Sequence, residues 1–304
     1  AVDSFARDGD DAATGAPFSL SSDLDRFLAE LQRDENLQVV ELLKASPHEI
    51  TEVVQYAGAN GAGLGLLLRK RFAAASGLGT AYQELLRAQR AGRRFQHVPQ
   101  VYAAYRRDDE LVVLMEYVRG DTLAALVRRC NAGSGEKGAP KGEGSLPVLA
   151  PTSRFDLTRS MFPQLCDAVA ELHESLPTPL IHRDIKPENI IVTPACVPVL
   201  IDFGIARTYK TGAATDTVHF GTADYAPPEQ YGFGQTDIRS DVYALGLVLW
   251  FCLTGRVPAP SDRELAYTDS AVPEPLRRVI VRAAAFDPSD RYPSARALRQ
   301  AFTQ

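Results

Sequence analysis

The sequence predicts an α+β fold in which strand-length segments come first and helices follow. Three observations carry that expectation. Apolar runs of strand length, at 66–72 and 111–118, fall within the first 118 residues. Helical patterns dominate afterwards, most strongly in the apolar stretch at 242–253. At 304 residues the chain exceeds a typical single core and has enough length to bury two small ones.

From the N-terminus, residues 1–20 are acidic and rich in Ala, Gly and Asp, a composition expected to stay disordered. Ser22 then caps an amphipathic helix with Leu24, Phe27, Leu28 and Leu31 on one stripe, expected to dock on the first lobe. The run at 66–72, Leu-Leu-Leu-Arg-Lys-Arg-Phe, carries Lys70 within a strand. A helix is predicted over about 79–94, where Tyr82, Leu85 and Leu86 mark an inward face and Glu84 is the sole acid. Residues 111–118 read as a buried strand ending in a polar pair, and Arg119-Gly-Asp-Thr-Leu123 opens a helix. Residues 131–153 hold five Gly and three Pro among charges, a flexible insertion ahead of a long helix at about 155–176. Beyond Gly255 only sixteen residues precede Val272, which leaves room for little helix.

Residues 182–192 read His-Arg-Asp-Ile-Lys-Pro-Glu-Asn-Ile-Ile-Val, and nine residues later Asp202-Phe-Gly follows. Two acids and an amide at that spacing suit phosphoryl transfer. A triphosphate needs positioning, metal ligands and an acceptor for the proton of the attacking hydroxyl. Either motif alone is common in loops and turns. Their order is what makes the pair specific. Downstream come Gly-Thr-Ala-Asp-Tyr-Ala-Pro-Pro-Glu at 221–229 and Asp-Val-Tyr-Ala-Leu-Gly at 241–246.

Together these segments resemble the protein kinase superfamily, and within it the bacterial-type Ser/Thr kinases. The resemblance implies a bilobal fold: a small antiparallel β-rich N-lobe with its helix C, over a larger helical C-lobe. The corresponding division is an acidic extension at 1–37, the N-lobe and hinge at 38–118, and the C-lobe at 119–304. By the same resemblance Asp184 orients and deprotonates the hydroxyl, Lys186 steadies the phosphoryl group, and Asn189 and Asp202 hold the metal. Lys70 is implied to hold the α and β phosphates, with Glu84 as its helix-C partner. Met115 backs the adenine pocket, the backbones of Glu116 and Val118 meet the adenine edge, and Asp121 approaches the ribose. Thr222 lines the substrate platform, Asp241 braces the catalytic loop, and Arg291 pairs with Glu229. Pro227 stands where the family has alanine, a mild departure in a turn.

The glycines at Gly58, Gly61 and Gly63 are not the phosphate loop, because they end seven residues before Lys70, too few for a further strand and its turn. Strands at 38–45 and 50–57 fit better, with the Gly-Asn-Gly run as the turn before the third strand. The phosphate loop then becomes Ala45-Ser-Pro-His-Glu49, which has no glycine, and Ser46 and His48 are its candidate nucleotide contacts. This is the largest departure from the family.

Composition narrows the alternatives. Of the total charge of −5, residues 1–37 carry −6, so the remainder carries +1 and offers no basic groove for nucleic acid. Cys130, Cys166, Cys196 and Cys252 lack Cys-x-x-Cys pairing, which argues against a zinc site and for reduced thiols in the cytoplasm. The longest apolar stretch is about twelve residues, short of the twenty or so a membrane span needs. The expected activity is ATP-dependent transfer to Ser or Thr of a protein substrate, using magnesium or, in its place, manganese. A pseudokinase that binds nucleotide or scaffolds partners is the alternative, motivated by the glycine-free loop. A small-molecule phosphotransferase of the aminoglycoside-kinase type is the third class, disfavoured by the Gly-Thr and Pro-Glu segments. By the same resemblance Arg183 would receive a phosphate on the activation loop, where Thr211, Thr215 and Thr217 are the candidates and Thr215 or Thr217 is expected to be phosphorylated in trans within a transient homodimer.

Overall fold

The computed structural model describes residue 30 and residues 33–57, 65–131, 153–208, 224–232 and 234–304. Of the acidic extension only residues 30 and 33–37 are described; the stripe of its amphipathic helix, the glycine run, residues 132–152 of the insertion and the threonines at 211, 215, 217 and 222 lie outside these residues.

A five-stranded antiparallel sheet forms the small lobe, from β1 (Leu37–Ala45), β2 (Glu49–Tyr56), β3 (Leu66–Ala73), β4 (Val101–Arg107) and β5 (Glu110–Glu116), in the spatial order β1-β2-β3-β5-β4. The first two strands begin within a residue of the expected positions, and β2 hands on to β3 across the glycine-containing segment. One sheet face buries Val54, Tyr56, Leu67, Ala103 and Leu114 as a separate cluster. The opposite face, with Phe72, Val113 and Met115, packs on helix α1 (Thr80–Arg90) and joins the main core. Strand alternation therefore decides which residues reach the cleft.

The large lobe is helical: α2 (Leu123–Asn131), α3 (Arg154–Glu174), α4 (Ile238–Thr254), α5 (Pro260–Glu264), α6 (Glu274–Ala283) and α7 (Ala295–Thr303). Helix α4 is buried along nearly its whole length, which explains its uniformly apolar sequence. Asp237 caps its start in a capping box with Ser240, and Gly255 ends it in a left-handed conformation. The region after it holds only the five-residue α5, as the short spacing predicted. Among the described residues no helix is long and apolar enough to cross a membrane.

Four short strands carry the site at the lobe junction: β6 (Asp121–Thr122), β7 (Leu180–Ile181), β8 (Ile190–Val192) and β9 (Pro198–Leu200); β10 (Arg207–Thr208) pairs with β7. Strand β6 pairs with β8. There Gly120 approaches Val192 so closely that a Cβ would sit 2.2 Å from its carbonyl oxygen, so no larger residue fits.

Candidate active site

The loop at 182–192 is built on one buried carboxylate. Asp241, in the first turn of α4, accepts the backbone N–H groups of His182 and Arg183, both at 2.9 Å, and pairs with His173 Nε2 of α3 at 2.8 Å. Burial alone would raise its pKa, but His173, with smaller help from the His182 ring and the Arg183 amide, holds it below the ordinary carboxylate value. Arg183 is thereby fixed at φ +68°, a conformation costing about 1–3 kcal/mol that persists because its surroundings determine it. From the other side Gln230 Nε2 donates to the Arg183 carbonyl at 2.8 Å.

That clamp sets the reactive side chains. Asp184 Oδ2 accepts from Lys186 Nζ at 2.9 Å and from Asn189 Nδ2 at 2.8 Å, and Asn189 Nδ2 also reaches the Asp184 carbonyl at 2.9 Å. The His182 ring bridges the two loops: Nε2 donates to the Ile201 carbonyl at 3.1 Å while Nδ1 accepts the Asp184 N–H at 3.3 Å. Asp202, at φ +65°, follows immediately.

Across the cleft Lys70 Nζ bonds Asp202 Oδ1 at 2.7 Å and Glu49 Oε1 at 2.7 Å. Burial would lift the Asp202 carboxyl, but the Lys70 ammonium, with smaller help from Lys44 and His182, holds it down at about 2. Lys70, despite its burial, is raised above its ordinary value by Tyr82, Asp202 and Glu49. One cavity between the lobes is lined by Lys44, Thr51, Lys70, Asn189 and Asp202 at its polar end and by Leu68, Met115, Tyr117, Val118, Ile191 and Ile201 at its apolar end. The polar end suits phosphates and a cation, the apolar end a flat base.

Glu229 and Arg291 form a bidentate pair at 2.7 and 2.9 Å with both side chains buried. Ser240 Oγ donates to Glu229 at 2.7 Å, and Arg291 also donates to the carbonyls of Ala285, Phe286 and Arg239. Residues 68–302, which include the loop, Lys70, Asp202 and this pair, match the protein kinase domain family. The chain belongs to the protein kinase family.

Three similar proteins are bacterial. Serine/threonine-protein kinase D of Synechocystis is 30% identical over 224 residues, 69% of this chain and 39% of that protein. Serine/threonine-protein kinase PrkC of Bacillus subtilis is 30% identical over 214 residues, 66% of this chain and 30% of the relative. Serine/threonine-protein kinase PknB of Mycobacterium leprae is 32% identical over 203 residues, 62% of this chain and 29% of the relative. The chain thus spans between 29% and 39% of the length of these proteins. The family and the two-lobed α+β architecture agree with the reading of the motifs.

Within that kinase frame, the structure brings several of the expected site residues together and others not. Asp184, Lys186, Asn189, Asp202 and Lys70 converge, and Met115, Glu116 and Val118 line the apolar end. The Glu116 N–H is already given to the Gln100 carbonyl at 2.8 Å and so is not offered to a base. Glu84 is a correction. It is turned to solvent, 41% exposed, and pairs with Arg87 at 2.5 Å instead of with Lys70. The reason is angular: at about 100° per residue Glu84 stands some 200° from Tyr82, so both cannot face the sheet. Tyr82 wins the inward place. Its ring stacks on Phe72 and meets Phe203 edge-on, and its hydroxyl accepts the Phe203 N–H at 3.0 Å.

Ser46 and His48 are likewise not brought to the cavity lining. They form the tip of a tight hairpin in which the Ser46 hydroxyl serves the turn's own backbone. Asp121 is held by Arg129 Nη2 at 2.8 Å, which also lowers its pKa, and its neighbour Gly120 lines the cavity in its stead. Lys44, Glu49, Thr51 and Tyr82 were missed. The first three share a sheet face with Lys70; for Glu49 and Thr51 that parity is readable once the hairpin is placed one residue earlier, with Glu49 inside β2, whereas Lys44 reaches this face through a bulge in β1.

Proposed function

We propose that the chain is an ATP-dependent Ser/Thr protein kinase. The observation that carries this reading is the approach of Lys186 and Asn189 to one oxygen of Asp184, beside a cleft that also holds Lys70 and Asp202. The substrate hydroxyl attacks the γ-phosphorus as the bond to the bridging oxygen of ADP breaks, and Asp184 accepts the hydroxyl proton. Lys186 offsets charge on the transferring group, and Lys70 aligns the α and β phosphates.

A divalent metal fits the donor set. Asp202 would supply carboxylate oxygen, and Asn189, its Nδ2 engaged by Asp184, would supply Oδ1 to magnesium or manganese, with phosphate oxygens and water as the remaining ligands. Bound there, the ion would neutralise charge developing on the phosphates. Protein substrates are Ser or Thr hydroxyls, and Arg183 would receive a phosphate placed on Thr215 or Thr217 in trans within a transient homodimer. No disulfide joins any of the four cysteines, which supports a cytoplasmic setting.

The deciding test is Asp184→Asn. Phosphate transfer to a generic basic protein with magnesium and labelled ATP should fall by about 10²–10⁴-fold while ATP affinity and thermal stability stay near those of the unaltered chain. Undiminished turnover would remove Asp184 from this role. The outward turn of Glu84 favours a second reading, a pseudokinase acting as a nucleotide-binding or scaffolding module. Absence of any turnover in the unaltered chain, with ATP still bound, would select it.

A further inference from the structure

Phosphates that rest against a strand–turn–strand segment are ordinarily met by its backbone N–H groups. In the β1–β2 hairpin those groups are already committed. Ser46 N–H donates to the Glu49 carbonyl at 2.9 Å, Pro47 has no N–H, and Glu49 N–H donates to Ser46 Oγ at 3.0 Å. His48 N–H leans on that same hydroxyl at 3.4 Å. A triphosphate in this cleft must therefore find its positive charge on side chains.

The register of the sheet supplies a second cation. Lys44 of β1 opposes Thr51 of β2, which opposes Lys70 of β3, so the three form one row across the cleft face. A β-bulge between Leu42 and Lys44 sets this parity, and both Leu43 and Lys44 line the cavity. Glu49 joins the two lysines. Its Oε2 accepts from Lys44 at 2.5 Å, while its Oε1 accepts from Lys70 at 2.7 Å and from the Thr51 hydroxyl at 3.0 Å. The lysines differ in depth: Lys70 is 5% exposed and Lys44 50%, so Lys44 stands at the mouth, where a phosphate chain would leave the cavity.

We propose that Lys44 is a second phosphate-binding cation of the nucleotide cleft, positioned by Glu49, and that it replaces the backbone amides which the hairpin has withdrawn. The inference rests on ATP being the donor, as set out under Proposed function. A surface ion pair with no part in binding would behave differently, because its loss could not distinguish a ligand with phosphates from one without.

Isothermal titration of the full chain with ATP and with adenosine, both in magnesium, separates these outcomes. Lys44→Met should weaken ATP by about tenfold or more and leave adenosine within twofold, while Lys44→Arg retains most of the ATP affinity. Equal ATP affinity in Lys44→Met and the unaltered chain would overturn the assignment. So would equal losses for ATP and adenosine, which would mark a lesion of the fold. An unaltered chain that binds ATP no better than adenosine would instead overturn the donor reading, and this inference with it.

Discussion

In the catalytic loop, the buried carboxylate of Asp241 gathers an imidazole and two successive amides, and the reactive residues follow from a backbone held in place on both sides. In the small lobe, Lys70 is held by a carboxylate from the neighbouring strand, and the helix that packs beside it contributes a tyrosine instead of an acid. The first arrangement fixes the backbone and lets side chains follow. The second relies on sheet register, because same-face residues on β1, β2 and β3 meet only while the strands keep their pairing. Two solutions to charge placement thus face each other across one cleft.

The sharpest way to break the large-lobe half is to remove Arg291. Its guanidinium is fully buried, bidentate to Glu229, and bonded to three carbonyls. Arg291→Ala should cost about 3–5 kcal/mol of unfolding free energy, because Glu229 would be left buried and uncompensated. Chemical denaturation would measure it. The double variant with Glu229→Ala should lose less than the two single losses combined, and strict additivity would mean that the pair is not coupled. Since Gln230 follows Glu229 and holds the Arg183 carbonyl, the double variant should also lower turnover.

The small-lobe half is tested by choosing between two acids. Glu49→Gln should lower kcat/KM for ATP by roughly 10- to 100-fold, the loss expected when charge-assisted bonds to both lysines go. Glu49→Asp should recover part of it. Glu84→Gln should leave kcat/KM within about twofold, since an exposed i,i+3 pair on a helix contributes only a few tenths of a kcal/mol. The reverse ranking, with Glu84 the sensitive residue, would mean that α1 rotates in the working enzyme and that the Lys70–Glu49 pair belongs to a resting state.

How much was legible follows the same division. Asp184, Lys186, Asn189 and Asp202 are close in sequence, so their spacing alone specifies the loop. Even Asp241, Glu229 and Arg291 could be named from short local patterns. Glu49 could not be, because its role depends on a hairpin boundary: starting β2 at residue 50 put it in the loop, whereas starting at Glu49 puts it on the cleft face. A strand boundary moved by one residue decides whether its terminal side chain belongs to the turn or to the sheet face. Glu84 failed for the opposite reason. The inward face was correctly read as Tyr82, Leu85 and Leu86, and that same reading, carried through at 100° per residue, places Glu84 outside it. The family pattern outweighed the geometry of this helix. Lys44 was hidden by a bulge, which no periodicity announces.

The smallest expected effect is a pH dependence that arises where the two halves touch. Asp202 belongs to the large lobe and Lys70 to the small one, and their bond at 2.7 Å depresses the Asp202 carboxyl from 3.8 to about 2. A carboxyl whose folded pKa is depressed adds stability above its unfolded value, and that contribution disappears as pH falls through the folded one. The window therefore runs from about pH 4 down to about pH 2, and the contribution above it is about 2 kcal/mol. Lys70, raised from its ordinary value, stays charged throughout this window and adds no acid dependence of its own. Other carboxylates titrate here too, so the informative quantity is the difference between the unaltered chain and Lys70→Met. Their melting temperatures should differ most at pH 5, and the gap should narrow by a few degrees as pH falls towards 2. A gap that stayed constant across that range would mean that the ammonium stabilises the lobe junction by packing, and that charge complementarity between the lobes contributes little.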